Sequence, residues 1–204
     1  MNPARTSSVP VDLGPRPPRE RSDAARNRGR ILVVAARLFA EQGVGAVSLD
    51  AIATAAGVGK GTLFRRFGSK AGLAAALLDA EDRALQERIL FGPPPLGPGA
   101  DAATRIIAFF DAYLELLERN LELIRLSETA APGARYRVGS YQLWRQHLSM
   151  LLAESCPGLD TEVTAHLLLA PVAGELHHAL RSAEVTPERI RSSVALLVRG
   201  VIAS

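Results

Sequence analysis

Apolar residues recur every three or four positions along most of the chain, which is the spacing of one buried face of an α-helix. The pattern predicts helices over residues 23–42, 49–56, 60–67, 70–90, 102–119, 121–129, 135–155, 161–183 and 187–202. No part of the sequence reads as a run of strands. We therefore predict an all-α protein.

Two short helices joined by a tight turn are predicted between residues 47 and 70. Ser48 suits the N-cap of the first helix, because its hydroxyl can accept a hydrogen bond from a free amide of the first turn. Gly57 can adopt the left-handed conformation that ends a helix and reverses the chain. This arrangement is the layout of a helix-turn-helix.

The second helix of this pair has a basic outer face. Leu63 and Phe67 lie one turn apart and pack inward. The outward positions are Lys60, Gly61, Thr62, Arg65 and Arg66. Ser69 is predicted to cap the following helix, which places Lys70 where it can join free backbone amides in holding a phosphate.

Charge is divided unevenly along the chain. Residues 1–72 contain 12 Lys and Arg against 5 Asp and Glu, whereas residues 73–204 contain 12 against 16. Positive charge gathered in one third of a chain favours binding to a polyanion, because each neutralised phosphate releases condensed counterions. Together with the helix-turn-helix layout, this distribution indicates double-stranded DNA as the partner.

The first 22 residues are rich in Pro, Ser and Arg and show no hydrophobic periodicity, so we predict a disordered basic arm. The arm either reaches along DNA, as homeodomain arms do, or is a solubilising tail without defined contacts. Residues 23–72 are the predicted helix-turn-helix domain, and residues 73–204 a larger helical domain for effector binding and dimerisation. A proline-rich loop is predicted at residues 91–99, since proline lacks the amide donor.

The segment Ser-Leu-Asp-Ala-Ile-Ala-Thr-Ala-Ala-Gly-Val-Gly-Lys-Gly-Thr-Leu-Phe-Arg-Arg-Phe-Gly-Ser-Lys, preceded by Ala-Ala-Arg-Leu-Phe-Ala-Glu-Gln-Gly, resembles the N-terminal DNA-binding domain of TetR-type bacterial transcriptional regulators. The resemblance covers about a quarter of the chain. It implies that Ser48, Phe64 and Lys70 contact the DNA backbone. It also places Lys60, Gly61, Thr62, Arg65 and Arg66 on the recognition helix. Phe64 stands where tyrosine is usual, so DNA contact and packing both stay open for it.

The larger domain is predicted to hold a small-molecule effector. Aromatic and apolar side chains with a few polar groups on facing helices are the usual lining of such a pocket. The candidate lining consists of Phe109, Phe110, Tyr113, Leu117, Trp144, His147 and Met150. The alternative is that these residues form only the core.

The last two predicted helices are apolar on more than one face, which favours packing against a partner subunit as well as the core. The candidate interface residues are Leu168, Val172, Leu176, Val194, Leu197, Val198 and Val201. The resemblance to TetR-type regulators implies a dimer built by these helices. One short recognition helix reads only a few base pairs, so we predict a homodimer on a palindromic operator.

Enzyme and metal chemistry find little support in the sequence. His177 and His178 are adjacent, unlike the i, i+4 spacing that lets two imidazoles share a metal. The sequence shows no phosphate-binding glycine loop and no nucleophile elbow, so we expect a non-enzyme without cofactor or metal. A single cysteine, Cys156, and the lack of an apolar stretch of about 18 residues predict a cytoplasmic protein without membrane contact.

These patterns predict a DNA-binding transcriptional regulator, a repressor that a small-molecule effector releases by tilting the helix over 70–90. A ligand-independent architectural DNA binder shares the motif and is the first alternative. An all-helical small-molecule binding protein or enzyme is the second.

Overall fold

The computed structural model describes residues 18–203, and the regular structure in that range is helical. The ten α-helices in it are α1 (Pro18–Gln42), α2 (Leu49–Ala55), α3 (Lys60–Phe67), α4 (Lys70–Phe91), α5 (Ala102–Glu128), α6 (Ala134–Arg137), α7 (Gly139–Ser155), α8 (Thr161–Leu169), α9 (Gly174–Ser182) and α10 (Pro187–Ile202). A 3₁₀ turn, Ala170–Val172, joins α8 to α9. The predicted all-α class is confirmed.

The N-terminal helices α1, α2 and α3 pack with the start of α4 around one hydrophobic cluster, in which Ile31, Ile52 and Leu63 are buried. The Ser48 hydroxyl accepts a hydrogen bond from the Ala51 amide at 3.1 Å, which starts α2 as predicted. Gly57 has a φ of 61°, the left-handed conformation that lets the chain turn into α3. Local capping chemistry therefore sets the helix-turn-helix geometry.

Helix α1 begins earlier than the sequence pattern predicts. Residues 18–22, predicted as part of the disordered arm, belong to this helix. Pro18 suits a first helical turn, and the charged residues after it are good helix formers. Hydrophobic periodicity indicates a buried helix face, so its absence over these residues did not exclude a helix. The rest of the predicted arm, residues 1–17, lies outside the described residues.

A second, larger cluster fills the space around α5, which packs against α4, α7, α9 and α10. The sequence predicts that Asn120 breaks or bends this helix, and in the structure α5 bends there and continues. The φ of Asn120 is −126°, and its side-chain amide donates to the Leu116 carbonyl at 3.1 Å. The amide group thus satisfies a carbonyl at the bend.

Two predicted long helices are divided in the structure. The predicted helix over 135–155 is interrupted at Val138, whose ψ of 141° is extended. The predicted helix over 161–183 is interrupted by a 3₁₀ turn that contains Pro171, the residue at which the sequence predicts a kink or local loosening, because proline cannot donate the amide hydrogen bond of a continuous helix.

Helix α4 connects the two clusters. Leu73 is completely buried in the N-terminal cluster, and Leu78 belongs to the larger one. The change of cluster therefore falls within α4, a few residues beyond the boundary predicted at residue 72. Leu123 of α5 packs against both clusters, so α4 and α5 together link the helix-turn-helix to the larger domain.

Candidate functional site

Helix α3 presents opposite faces to the core and to the surface. Leu63 is only 1% exposed and anchors the helix, whereas Phe64 is 62% exposed. The Phe64 ring therefore does not pack in the core of its own domain, which removes the packing alternative. Arg65 is exposed, and none of the hydrogen bonds or ion pairs found among the described residues involves it. Gly61 and Thr62 complete the outer face, exposed and half-buried respectively.

The sequence pattern predicts that Arg66 faces outward, but in the structure its side chain is only partly exposed. Its guanidinium is half-buried and donates a hydrogen bond to the carbonyl of Ala24 in α1. Lys60 at the start of α3 pairs with Asp50 of α2, with 2.8 Å between Nζ and Oδ2. Both side chains of that pair are mostly exposed, so solvent screens it and it contributes less than about 1 kcal/mol to stability.

The remaining predicted contacts lie at helix starts. Ser48 is exposed at the cap of α2. Lys70 is the first residue of α4, where its ammonium donates to the Gly45 carbonyl at 3.1 Å and lies 6.0 Å from the centre of the Phe39 ring. All eight predicted DNA-contacting residues thus lie in the α2–α3 unit or at the start of α4.

The two neighbouring arginines of α3 should respond differently to mutation. Arg65→Ala is expected to weaken DNA binding at least about tenfold per dimer while leaving the melting temperature within about 1 °C. Arg66→Ala is expected to lower the melting temperature by several degrees, because it removes the hydrogen bond between α3 and α1. Anisotropy titrations and thermal unfolding of both variants check this, and equal melting temperatures would contradict it.

A cavity of about 380 Å³ lies between α4, α5 and the first turns of α7. Three carboxylates and three aromatic rings contribute to its wall: Asp79, Asp82, Glu128, Tyr113, Tyr141 and Trp144. Its volume falls within the range of about 300–1,000 Å³ that is usual for small-molecule pockets.

Two of the seven predicted pocket residues line this cavity. Tyr113 and Trp144 line the cavity. Four of the other predicted residues are buried in the core beside it: Phe109, Phe110, Leu117 and His147. Met150 is 56% exposed on the surface. Helical periodicity identified the inward face of α5 and α7, but it could not show which part of that face meets a gap.

A buried ion pair that the sequence analysis missed includes Glu128 of the cavity wall. Glu128 and Arg135 form a salt bridge in which each side chain is only 9% exposed. Arg135 also donates to the Leu169 carbonyl, and Glu128 accepts from the Gly174 amide, both at 2.8 Å. The pair therefore ties α5 and α6 to the start of α9.

The negative charges of the three carboxylates in the cavity are not equally balanced by nearby cations. Burial raises the pKa of Asp82, and repulsion from Asp79 and Glu81 adds to this, while a hydrogen bond with Ser140 opposes it. Asp79 forms a salt bridge with Arg83. Burial also raises the pKa of Glu128, although the charge of Arg135 opposes that shift.

His147 lies in the core as a neutral imidazole. Burial, and then repulsion from Arg105, lower its pKa from 6.5 to about 4. The unfolded chain therefore takes up this proton first, and stability falls as the pH decreases from about 6.5 towards 4. Relative to a His147→Leu variant, the wild-type free energy of unfolding should fall by about 1–3 kcal/mol over that range. Urea titrations at pH 7 and pH 4 measure it, and a constant difference would contradict the assignment.

The predicted interface residues separate into two groups. Leu168, Val172, Val194 and Val198 are buried in the core of this chain and cannot meet a partner. Leu176 and Leu197 are 43% and 54% exposed, and Val201 is half-buried. Leu196, which the sequence analysis did not single out, is 73% exposed. Apolar side chains of α9 and α10 are therefore left uncovered in the single chain.

The two adjacent histidines of α9 are paired with carboxylates of α5. His177 Nε2 lies 2.6 Å from a Glu118 oxygen, and His178 Nδ1 lies 3.0 Å from a Glu122 oxygen. Across residues 18–203 we find no group of three His, Cys, Asp or Glu side chains placed to hold a metal ion. In the same range, no helix is both long enough and apolar enough to span a membrane.

An exposed basic helix behind a tight glycine turn, joined by one helix to a larger helical domain, defines a helix-turn-helix regulator. Residues 31–77 match the family described as bacterial regulatory proteins, tetR family. The matched segment contains the helix-turn-helix, so this part of the chain is similar to the DNA-binding domain of these regulatory proteins.

Relatives agree with this assignment. An HTH-type transcriptional regulator of Staphylococcus aureus is 47% identical over 53 residues, which make up 26% of this chain and 29% of that protein. The match thus spans less than a third of the curated relative.

The similarity of the fold extends much further than the similarity of sequence. A TetR-family transcriptional regulator from Pectobacterium atrosepticum superposes with a TM-score of 0.67 at 23% identity, covering 90% of this chain and 98% of that chain. NalD of Pseudomonas aeruginosa, the secondary repressor of the MexAB-OprM multidrug efflux pump, gives 0.56 at 22%, covering 88% and 97%. The two-domain helical fold is therefore that of TetR-family regulators.

Proposed function

We propose that this protein is a cytoplasmic, homodimeric repressor that binds a palindromic operator and is released from it by a small molecule. The observation that carries the proposal is the exposed outer face of α3, with Phe64 and Arg65 uncovered and Leu63 holding the helix in place. An α-helix fits the major groove of B-DNA, and an arginine there can pair with O6 and N7 of guanine.

The contacts divide into two kinds. Arg65 and Thr62 are the proposed base-reading residues, because they lie on the outer face of the recognition helix. Ser48 and Lys70, at the starts of α2 and α4, are the proposed phosphate contacts, which position the helix without reading sequence. Arg66 contributes charge while its hydrogen bond to Ala24 keeps α3 against α1.

Helix α4 connects the cavity to the helix-turn-helix. Ala75, Leu78, Asp82 and Gln86 of α4 line it, and the same helix begins at Lys70 beside the helix-turn-helix. A ligand that displaces the middle of α4 therefore moves its first turn. In a dimer this changes the separation of the two recognition helices, which must stay about 34–36 Å apart to read half-sites one turn of duplex apart.

The DNA-binding part is tested by fluorescence anisotropy with duplexes from the region upstream of the protein's own gene. Specific binding predicts a dissociation constant at least about a thousandfold lower for one duplex than for a scrambled duplex of equal length. Equal affinity for both duplexes would instead support the ligand-independent architectural binder, and no affinity for either would overturn the proposal.

The ligand-responsive part uses Trp144, the one tryptophan of the chain, as a reporter in the cavity wall. A compound that changes Trp144 fluorescence should also weaken operator binding. Ala75→Phe fills the cavity and is expected to block both effects, whereas Ala80→Phe, exposed on the same helix, should block neither. Operator affinity that stays constant while compounds occupy the cavity would overturn effector release.

A further inference from the structure

The charged side chains of the cavity wall are predominantly acidic. Asp79, Asp82 and Glu128 line it, against one lining cation, Arg83. Two of the three carboxylates already have a cation, because Asp79 pairs with Arg83 and Glu128 pairs with Arg135. None of the ion pairs found among the described residues includes Asp82, and Ser140 beside it is uncharged.

Aromatic rings face the same space. Tyr113, Tyr141 and Trp144 line the cavity, and Tyr113 lies 6.3 Å from Trp144 between ring centres. The Arg135 guanidinium lies 5.3 Å from the centre of the Tyr141 ring, so one of these rings already has a cation beside it. Aromatic faces attract cations through the ring quadrupole, most strongly where water is excluded.

We propose that the effector is a monovalent organic cation with a flat apolar body, whose charge lies against Asp82 while its body packs between Tyr113, Tyr141 and Trp144. This inference rests on the proposed function of the cavity as the effector site. An anion would be repelled by Asp82, whose charge no arginine compensates, and a neutral ligand would bury Asp82 without compensating that charge.

Because Asp82 lies on α4, a cation bound beside it also affects the position of this helix. Asp82 lies on α4, twelve residues after Lys70, or about 18 Å along the helix. A cation bound in the cavity attracts the Asp82 carboxylate, and with it the part of α4 that carries this residue, towards the ligand. The preferred position of α4 then differs between the empty and the occupied cavity.

The test compares three probes of nearly equal shape by isothermal titration calorimetry with the full chain. These are (naphthalen-1-ylmethyl)trimethylammonium, its neutral isostere 1-neopentylnaphthalene, and the anion 1-naphthaleneacetate. The cation is expected to bind at least about tenfold more tightly than the neutral isostere, and the anion most weakly. Asp82→Asn keeps the side-chain shape and is expected to weaken cation binding at least about tenfold, with less than about a twofold effect on the isostere.

Glu81→Gln is the matched control. It removes the same charge from the residue before Asp82, but Glu81 pairs with Arg119 and does not line the cavity. We expect less than about a twofold change in cation affinity. Asp79→Asn is a second test variant. It releases Arg83, so cation binding should again weaken even if Asp82→Asn proves too unstable to study.

Two results would overturn the proposal. One is equal or tighter binding of the neutral or anionic probe, and the other is a lack of cation binding at millimolar concentration. Operator affinity measured on the same samples separates this failure from a failure of the proposed function. A neutral or anionic probe that changes Trp144 fluorescence and releases DNA would refute the cationic effector and leave the ligand-responsive repressor intact.

Discussion

Reversing the charges of Arg65, Arg66 and Lys70 to glutamate is expected to reduce affinity for duplex DNA by at least about a thousandfold at moderate salt. Each lost cation removes one counterion-release contribution, and each new carboxylate repels the phosphates, in both subunits of a dimer. Fluorescence anisotropy with one duplex at a fixed salt concentration measures the change.

The control for this variant reverses three charges in the larger domain. Arg88, Arg119 and Arg137 are exposed, and Arg88 lies about 27 Å along α4 from Lys70. Their reversal to glutamate changes the net charge equally and should alter affinity less than about tenfold. Because Arg66 also holds α3 against α1, circular dichroism must show that the triple variant keeps its helices. Folded protein with unchanged DNA affinity would refute the basic-face account.

Replacing Leu176 and Leu197 with glutamate is expected to convert the protein from dimer to monomer at micromolar concentration. Both side chains are substantially exposed in the single chain, and burying each leucine in an interface contributes about 1.5–3 kcal/mol. In a two-fold symmetric dimer, each substitution is present on both sides of the interface. We therefore expect the dissociation constant of the dimer to rise at least about a thousandfold, measured by size-exclusion chromatography with light scattering.

Two matched substitutions show whether the effect is specific. Leu90 near the end of α4 is 47% exposed, close to the values for Leu176 and Leu197, and Leu90→Glu should leave the dimer intact. Val194→Glu places the charge in the core of the chain and should unfold it instead of dissociating it. A wild-type protein that is monomeric at micromolar concentration would contradict the interface proposal at once.

Local chemistry made the helix-turn-helix predictable. The bounds of α3 and α10 are those that the sequence predicts, because a cap residue, a glycine or a proline marks nearly every end. Ser48 and Ser69 accept the predicted hydrogen bonds from first-turn amides, and Asp101 and Thr186 cap α5 and α10 in the same way. Where one residue type decides a helix boundary, the sequence alone locates it.

The cavity could not be predicted in the same way. Its wall depends on the interruption at Val138 and on the Glu128–Arg135 pair, which joins residues seven positions apart and contacts Leu169 and Gly174. Neither feature has a periodic signal. Hydrophobic periodicity also could not separate Val198, which faces the core, from Leu197, which faces outward, because both faces of α10 are apolar.

The most direct test of the central claim is dimethyl sulfate protection of operator DNA, since the reagent methylates guanine N7 in the major groove and adenine N3 in the minor groove. With the wild-type protein, the account predicts guanine protection in two groups one helical turn apart, lost with Arg65→Ala. Unprotected guanines under saturating protein, or protection confined to adenine N3, would contradict insertion of α3 into the major groove.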